Sequence, residues 1–203
     1  MVEILPVRTK LSNDRALRIL TAAGAEFAKR GFAGARVEQI ARRAGVNKQL
    51  IFYYYHSKRG LFQAVLSRGA HDLEGALAQT SAGTGRPLDR LGATLATQFD
   101  FLTTHRDLVS VLTQAGRSDA RPFAAAINRL VVLLAEGQGL GEVRDDVDPH
   151  VAAAQALVLM IAYLELEPLI ATSAAPLGSD ELALPARWRD AAVRLVLEGV
   201  AAR

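Results

Sequence analysis

The clearest pattern of apolar and polar positions lies in residues 36–55, RVEQIARRAGVNKQLIFYYY. Gly45 stands where a first helix would end in a left-handed residue, and Asn47 is a good N-cap for a second helix. Three apolar residues before the glycine have the i, i+3, i+4 spacing of an amphipathic helix: Val37, Ile40 and Ala41. The pattern predicts two short helices joined by a tight turn.

One face of the second helix carries side chains that are too polar for a hydrophobic core. Ile51 and Tyr55 are predicted to point inward, since they are four residues apart. This leaves an exposed row of one cation, one amide and two phenols: Lys48, Gln49, Tyr53 and Tyr54. Lysine and tyrosine side chains can donate hydrogen bonds to DNA phosphates, and glutamine can hydrogen-bond to base edges. The row therefore favours a helix-turn-helix whose second helix enters a DNA major groove.

The rest of the chain shows helical periodicity and no sustained alternation of period two. Residues 1–11 are predicted to be a flexible arm, and Ser12 or Asn13 is predicted to cap a first helix that ends at Gly31. Further helices are expected at about 57–80, 87–104, 107–115, 119–136, 149–172 and from 180 or 185 to 202. Asp148 and Pro149 are expected to start the fifth of these, at 149–172, and Pro168 to kink it. The fold class is all-α, with about nine helices.

Residues 18–66 resemble the DNA-binding domain of TetR-family transcriptional regulators. The resemblance lies in the joint spacing of Ile19-Leu20, Ala23, Phe27, Gly31-Phe32, Val37, Ile40-Ala41, Ala44-Gly45-Val46, Ile51, Tyr53, Tyr55, Ser57-Lys58 and Leu61-Phe62. It implies an N-terminal three-helix DNA-binding domain at 12–66, with its helix-turn-helix at 36–55. It also implies a C-terminal helical domain at 67–203 for ligand binding, regulation and dimerisation.

A protein of this kind is expected to be a transcriptional regulator, usually a repressor. It would bind double-stranded DNA at a palindromic operator as a homodimer and be released by a small ligand. The candidate DNA-binding residues are Arg36, Asn47, Lys48, Gln49, Leu50, Tyr53, Tyr54 and Lys58. The sequence departs from the family near this surface. Phe52 lacks the hydroxyl of the usual tyrosine, Leu50 replaces a commonly small or polar residue, and Gly60 replaces the glutamate that would complete a capping box after Ser57.

Charge is divided unequally along the chain, whose formal net charge is +3. Residues 1–62 hold 12 Lys and Arg against 4 Asp and Glu, a balance of +8, whereas residues 63–203 hold 12 against 17, a balance of −5. The basic part coincides with the helix-turn-helix, as expected for a polyanion partner. A solvated basic face would give the same balance without the motif.

The remaining composition bears on compartment and chemistry. The absence of cysteine excludes disulfides and thiolate sites. The N-terminus lacks an apolar signal core, and the apolar run at 152–164 is broken by Gln155 and too short to span a bilayer. No catalytic motif, metal-ligand spacing or cofactor fingerprint occurs. These features predict a cytoplasmic protein that is not an enzyme, with no membrane partner, metal or cofactor.

The C-terminal part is more apolar than one face of a helical bundle requires. The helix at 149–172 is hydrophobic nearly all round, and the last helix is rich in small apolar residues, so we expect these two helices to form the homodimer interface. A pocket for a small, largely apolar effector is expected among the other helices. Its candidate residues are Gln98, Phe101, Gln114, Asn128, Met160 and Tyr163.

Two alternatives stay open at this point. One is a helical DNA-binding dimer with no small-molecule effector. The other is a ligand-binding helical protein that does not bind DNA. Binding to genomic DNA fragments would exclude the protein that does not bind DNA. Release of that DNA by small molecules would distinguish the ligand-responsive regulator from the dimer with no effector.

Overall fold

A computed structural model describes residues 5–81, 83–115, 121–174 and 184–202. These residues form nine α-helices, and the fold is all-α. Two compact units are present: one combines the chain up to Gly69 with Asp107–Pro122, and the other combines Ala70–Arg106 with Phe123–Arg203. The first unit therefore includes a later segment that a linear division at residue 66 does not contain.

Unit 1 is built on α1 (Leu5–Gly34), α2 (Val37–Ala44), α3 (Lys48–Tyr55), the start of α4 (Lys58–Ser81) and most of α6 (Arg106–Thr113). Its core contains three phenylalanines. The ring of Phe62 meets Phe27 and Phe32 edge-on, each at a centroid distance of 5.1 Å. Such edge-to-face pairs add to the free energy gained by burial. Because Phe27 and Phe32 lie on α1 and Phe62 lies on α4, the cluster joins the two helices that flank the motif.

The first helix departs from the sequence-based expectation at both ends. It begins at Leu5, within the segment predicted as a flexible arm, so the expected cap at Ser12 or Asn13 is wrong. Pro6 is compatible with a helical first turn, and no glycine or proline interrupts residues 7–23. At the other end Gly31 does break the helix, with φ 70° and ψ 166°, and a further turn continues to Gly34.

Unit 2 contains the rest of α4, α5 (Pro87–Thr104), α7 (Ala124–Gly139), α8 (Pro149–Ala174) and α9 (Leu184–Val200). The start of α8 follows the prediction, since Asp148 Oδ1 accepts hydrogen bonds from the backbone N–H groups of His150 and Val151 at 2.8 and 3.2 Å. The predicted loop at 175–179 and the alternative start of the last helix at 180 lie outside the described residues.

One local rule was overridden in unit 2. Glycines were expected to end α7 at Glu136, but the helix runs through Gly137 to Gly139. A Cβ on Gly137 would lie 2.6 Å from the Val143 side chain, so the glycine allows a close approach that stabilises the helix end. Helix α8 runs through Pro168, and the kink expected there stays a prediction.

The apolar helix α8 is longer than the apolar run predicted from the sequence. Its residues Pro149–Thr172 are long and apolar enough to cross a membrane, so the expectation that this region is too short was wrong. Its start is set by the cap at Asp148, and it packs against α7 and α9 in unit 2. Core helices of soluble helical proteins have the same composition.

Candidate nucleic-acid interface

The turn of the motif is built by backbone geometry at Gly45. This residue has φ 65° and ψ 40°, the left-handed conformation that glycine adopts readily. Its N–H bonds to the carbonyl of Arg42, and the N–H of Val46 bonds to the carbonyl of Ala41 at 3.0 Å. These bonds satisfy carbonyls at the end of α2, as predicted, and turn the chain directly into α3.

Asn47 caps the second motif helix. Its Oδ1 accepts a hydrogen bond from the N–H of Leu50 at 2.8 Å, which confirms the predicted N-cap. That bond uses one lone pair of the oxygen, so its second lone pair and the amide nitrogen are the groups that could contact DNA. Leu50 is half-buried beside it. DNA contacts by both residues stay predictions.

The outward face of α3 carries the side chains predicted for it, with one difference. Tyr53 is 75% exposed, and Gln49 is also exposed, whereas Ile51 is buried. Tyr54 is only half-buried rather than fully outward, because its ring lies between those of Tyr53 and Tyr55 at centroid distances of 5.5 and 6.1 Å. The face available to a groove is therefore narrower than the row predicted from spacing.

Tyr55 fixes α3 to α1 from the inward side. Its hydroxyl donates a hydrogen bond to the carbonyl of Ala16 at 3.3 Å. Burial raises the pKa of Tyr55, and the neighbouring Tyr54 adds to the shift, so the hydroxyl stays protonated and can donate. The contact helps to fix the orientation of α3 relative to α1.

Lys48 is held by a residue that sequence reasoning did not single out. Its Nζ donates a 2.5 Å hydrogen bond to Oε1 of Glu38, and lies 5.5 Å from the centroid of the Phe52 ring. The hydrogen bond from Lys48 is the main cause that lowers the pKa of Glu38. A sequence signal existed, since Glu38 is the one carboxylate among residues 36–58.

Lys58 lies at the corner between α3 and α4. Its Nζ donates to the carbonyl of Ala33 at 3.0 Å and lies 5.0 Å from the Phe32 ring centroid. In the same corner Ser57 Oγ accepts a hydrogen bond from the N–H of Gly60 at 2.9 Å and so caps α4. Lys58 thus ties α4 to the end of α1, and its phosphate contact stays a prediction alongside that of the exposed Arg36.

A second cationic region lies on unit 1 away from these residues. A groove of about 640 Å³ runs along α1 and the end of α2, with an apolar floor that includes Leu17 and Ala22. Arg18, Arg42 and Arg43 line it. Arginines here match the negative end of the α2 dipole. None of the predicted DNA-binding residues lines this groove.

The predicted effector residues are not all brought together. Gln98, Met160 and Tyr163 are buried in unit 2, and Phe101 is half-buried there against His105. Tyr163 packs against Phe99 at 5.5 Å and stacks with Trp188 at 4.9 Å, an aromatic neighbour that the candidate set lacked. Gln98 Oε1 is buried without a hydrogen-bond partner, which makes it an acceptor that a ligand could satisfy.

Two members of that set lie elsewhere. Gln114 belongs to unit 1, where its Oε1 accepts a hydrogen bond from the N–H of Phe32 at 3.0 Å. The break at Gly31 frees that N–H from the helix, and Gln114 satisfies it. Asn128 is exposed and lines a groove of about 430 Å³ in unit 2, beside the ion pair between Glu74 and Arg129. Charged side chains, those of Glu74, Arg90 and Arg129, line this groove together with apolar ones that include Val132 and Leu133.

Known proteins place these features in a family. The family described as "Bacterial regulatory proteins, tetR family" matches residues 19–65. The chain is 54% identical over 56 residues to the HTH-type transcriptional repressor SCO4008 of Streptomyces coelicolor, which covers 28% of this chain and 29% of that one. Over 151 residues it is 30% identical to the HTH-type transcriptional repressor NicS of Pseudomonas putida, covering 70% of this chain and 71% of NicS.

Similarity to a solved structure extends over nearly the whole chain. The putative transcriptional regulator SCO4942 of Streptomyces coelicolor is 29% identical, with a TM-score of 0.72, and the match covers 91% of this chain and 97% of SCO4942. The match to SCO4008 spans less than a third of that repressor, so it concerns the region of the motif alone. With the capped helix-turn-helix and the all-α fold, these matches show that the chain belongs to the TetR family of DNA-binding transcriptional regulators, which are not enzymes.

Proposed function

We propose that this regulator is a repressor that binds a palindromic operator as a homodimer and leaves it when a small effector binds. The observation that carries DNA reading is the exposed face of α3, with Gln49 and Tyr53 outward on a helix capped by Asn47. Residues 12–66 would form the DNA-binding domain and residues 67–203 the regulatory and dimerisation domain, in a cytoplasmic protein. The relatives SCO4008 and NicS are repressors by name.

Exposed apolar side chains on the last two helices support the homodimer. Among the described residues, α8 exposes Val151, Val158, Leu166 and Leu169, which lie in one stripe because residues three, seven and eight positions apart share a helix face, and α9 exposes Leu195. A contiguous apolar surface on a soluble protein marks an interaction site. A second copy placing its own stripe there would give a symmetric four-helix interface.

The effector is proposed to be small and largely apolar. Apolar and aromatic side chains surround the Tyr163 region, and the unsatisfied oxygen of Gln98 supplies a polar group that could orient a ligand. The close packing of Tyr163 favours the alternative of a DNA-binding dimer without an effector. Small molecules that displace the operator would decide between the two.

Genome-wide recovery of bound DNA tests the function directly. The chain should enrich fragments that share an inverted repeat, and a duplex with that repeat should shift in a mobility assay at stated salt. The measurement also identifies the operator and the genes beside it. Enrichment of no common sequence would contradict sequence-specific binding.

Gln49 is expected to read a base pair in each half-site. Replacing it with alanine should relax preference at one position, at a cost of about 1–3 kcal/mol per bidentate base contact. Binding selection from a randomised operator library measures this preference for the wild type and the variant. Gln63→Ala, an exposed glutamine on α4, is the matched control and should leave the selected sequence unchanged. An unaltered preference in Gln49→Ala would remove Gln49 from the readout.

Bound effector should lower the affinity for the operator, and bound operator should lower the affinity for the effector by the same factor. A ligand can displace the dimer only if it binds more tightly when the two heads are spaced wrongly for DNA. Coupling of about 1–3 kcal/mol would weaken DNA binding roughly 5- to 150-fold. Calorimetry with and without a saturating operator should give two ligand affinities that differ by this factor. Equal affinities would mean that the ligand is not an inducer.

A further inference from the structure

The surface that we propose to face DNA is formed by residues 36–58, and Glu38 is the one carboxylate among them. It lies in the first turn of α2, and its partner Lys48 is the first residue of α3. The 2.5 Å hydrogen bond between them therefore joins the two helices of the motif. Both side chains are exposed, so the pair is not needed to satisfy a buried charge.

The ammonium of Lys48 is restrained on two sides. Glu38 Oε1 takes one of its three donors, and the face of Phe52, one helical turn further along α3, attracts the cation at 5.5 Å. Two donors remain. A free surface lysine can follow any nearby phosphate, whereas a lysine held between a carboxylate and a ring keeps a narrow range of directions.

A carboxylate next to DNA lowers the affinity for DNA. It repels phosphates, and a lysine paired with it displaces fewer counterions than a free lysine does. Both effects weaken binding to every sequence. Specificity, however, is a difference between affinities, and it rises when binding to wrong sequences weakens more than binding to the right one. A directed ammonium can also donate to the O6 and N7 acceptors of guanine.

We propose that Glu38 is a specificity-determining residue that acts through Lys48. It holds the ammonium against Phe52, so that Lys48 contacts a guanine edge in the major groove instead of a phosphate. This inference rests on the proposed binding to an operator. It assigns a role to an acidic residue within a surface that is otherwise cationic, polar or aromatic.

Glu38→Gln tests the assignment because it keeps the side-chain length and removes the charge. Released Lys48 would neutralise an additional phosphate. Binding to a scrambled duplex should tighten, and the slope of log K against log salt should steepen by about one unit. The ratio of operator to scrambled affinity should fall about tenfold, the loss of one base contact. Fluorescence anisotropy titrations at several salt concentrations, with duplexes of equal length, measure both quantities.

Two controls isolate the role of the pair. Asp146→Asn removes an exposed carboxylate that is hydrogen-bonded to an arginine in unit 2, and should change neither quantity. In a Lys48→Met background, Glu38→Gln should lose its effect on the ratio, since the two residues act as one unit. An equal effect in that background would show that Glu38 acts through its own charge, which overturns the proposal.

The remaining outcomes are also decisive. If Glu38→Gln lowers the melting temperature but leaves the salt slope and the affinity ratio unchanged, the pair only braces the two helices and the assignment is wrong. If the wild-type protein binds the operator and the scrambled duplex with equal affinity, the proposed function is wrong, and this inference is wrong with it.

Discussion

Val158→Asp should separate the two copies of the proposed dimer and weaken operator binding by at least about 100-fold. Val158 is 65% exposed on α8, in the middle of the apolar stripe. A carboxylate there would have to be buried without a partner in the interface, which is costly. Two linked heads gain about 10²–10⁴ in affinity over one head, and a monomer loses that gain.

Light scattering coupled to size-exclusion chromatography measures the mass, and a mobility shift on the operator measures the affinity. Val132→Asp is the matched control, because Val132 is a valine of similar exposure, 62%, on α7. The control should remain a dimer and bind the operator like the wild type. A Val158→Asp protein that stays dimeric would place the interface elsewhere.

Tyr163→Ala should destabilise the folded protein by about 3–5 kcal/mol, the range for removing a large buried aromatic side chain. Tyr163 is fully buried, and its ring contacts both Phe99 and Trp188. Within the described part of the chain its hydroxyl makes one long hydrogen bond, to Glu167 Oε1 at 3.4 Å. The ring, rather than the hydroxyl, is therefore expected to carry the stabilisation.

Urea denaturation at a fixed protein concentration measures this loss, since the stability of a dimer depends on concentration. Tyr163→Phe is the control and should cost about 1 kcal/mol or less, because a single weak hydrogen bond is removed. If Tyr163→Ala retains nearly full stability, the ring lines an adaptable cavity instead of a packed core. That result would strengthen its predicted role in effector binding.

Features that depend on neighbours in sequence were predicted well. The left-handed Gly45, the cap at Asn47 and the start of α8 at Asp148 each follow from bonds between residues a few positions apart. Helix α5 was likewise expected at its observed bounds, between a glycine-rich break and His105. Their residues satisfy one another locally, so a linear pattern contains the necessary information.

Features that depend on distant partners were missed or misplaced. Gln114 was assigned to an effector pocket, yet it bonds to the N–H of Phe32, 82 positions away in the chain. Gly137 was expected to end a helix, yet it is the point where Val143 approaches closely. Lys48 faces outward as predicted, but its hydrogen bond to Glu38 across the turn was missed.

The sequence by itself thus determined the helical class, the position of the motif, the family and the face of α3 that could meet DNA. Tertiary structure alone decided which of those side chains are already engaged, which polar groups share a core and which apolar stripe is left exposed. The physical reason is that caps and periodicity are short-range properties of the backbone. Side-chain partners are chosen by packing, and packing brings together residues whose separation along the chain gives no sign of their contact.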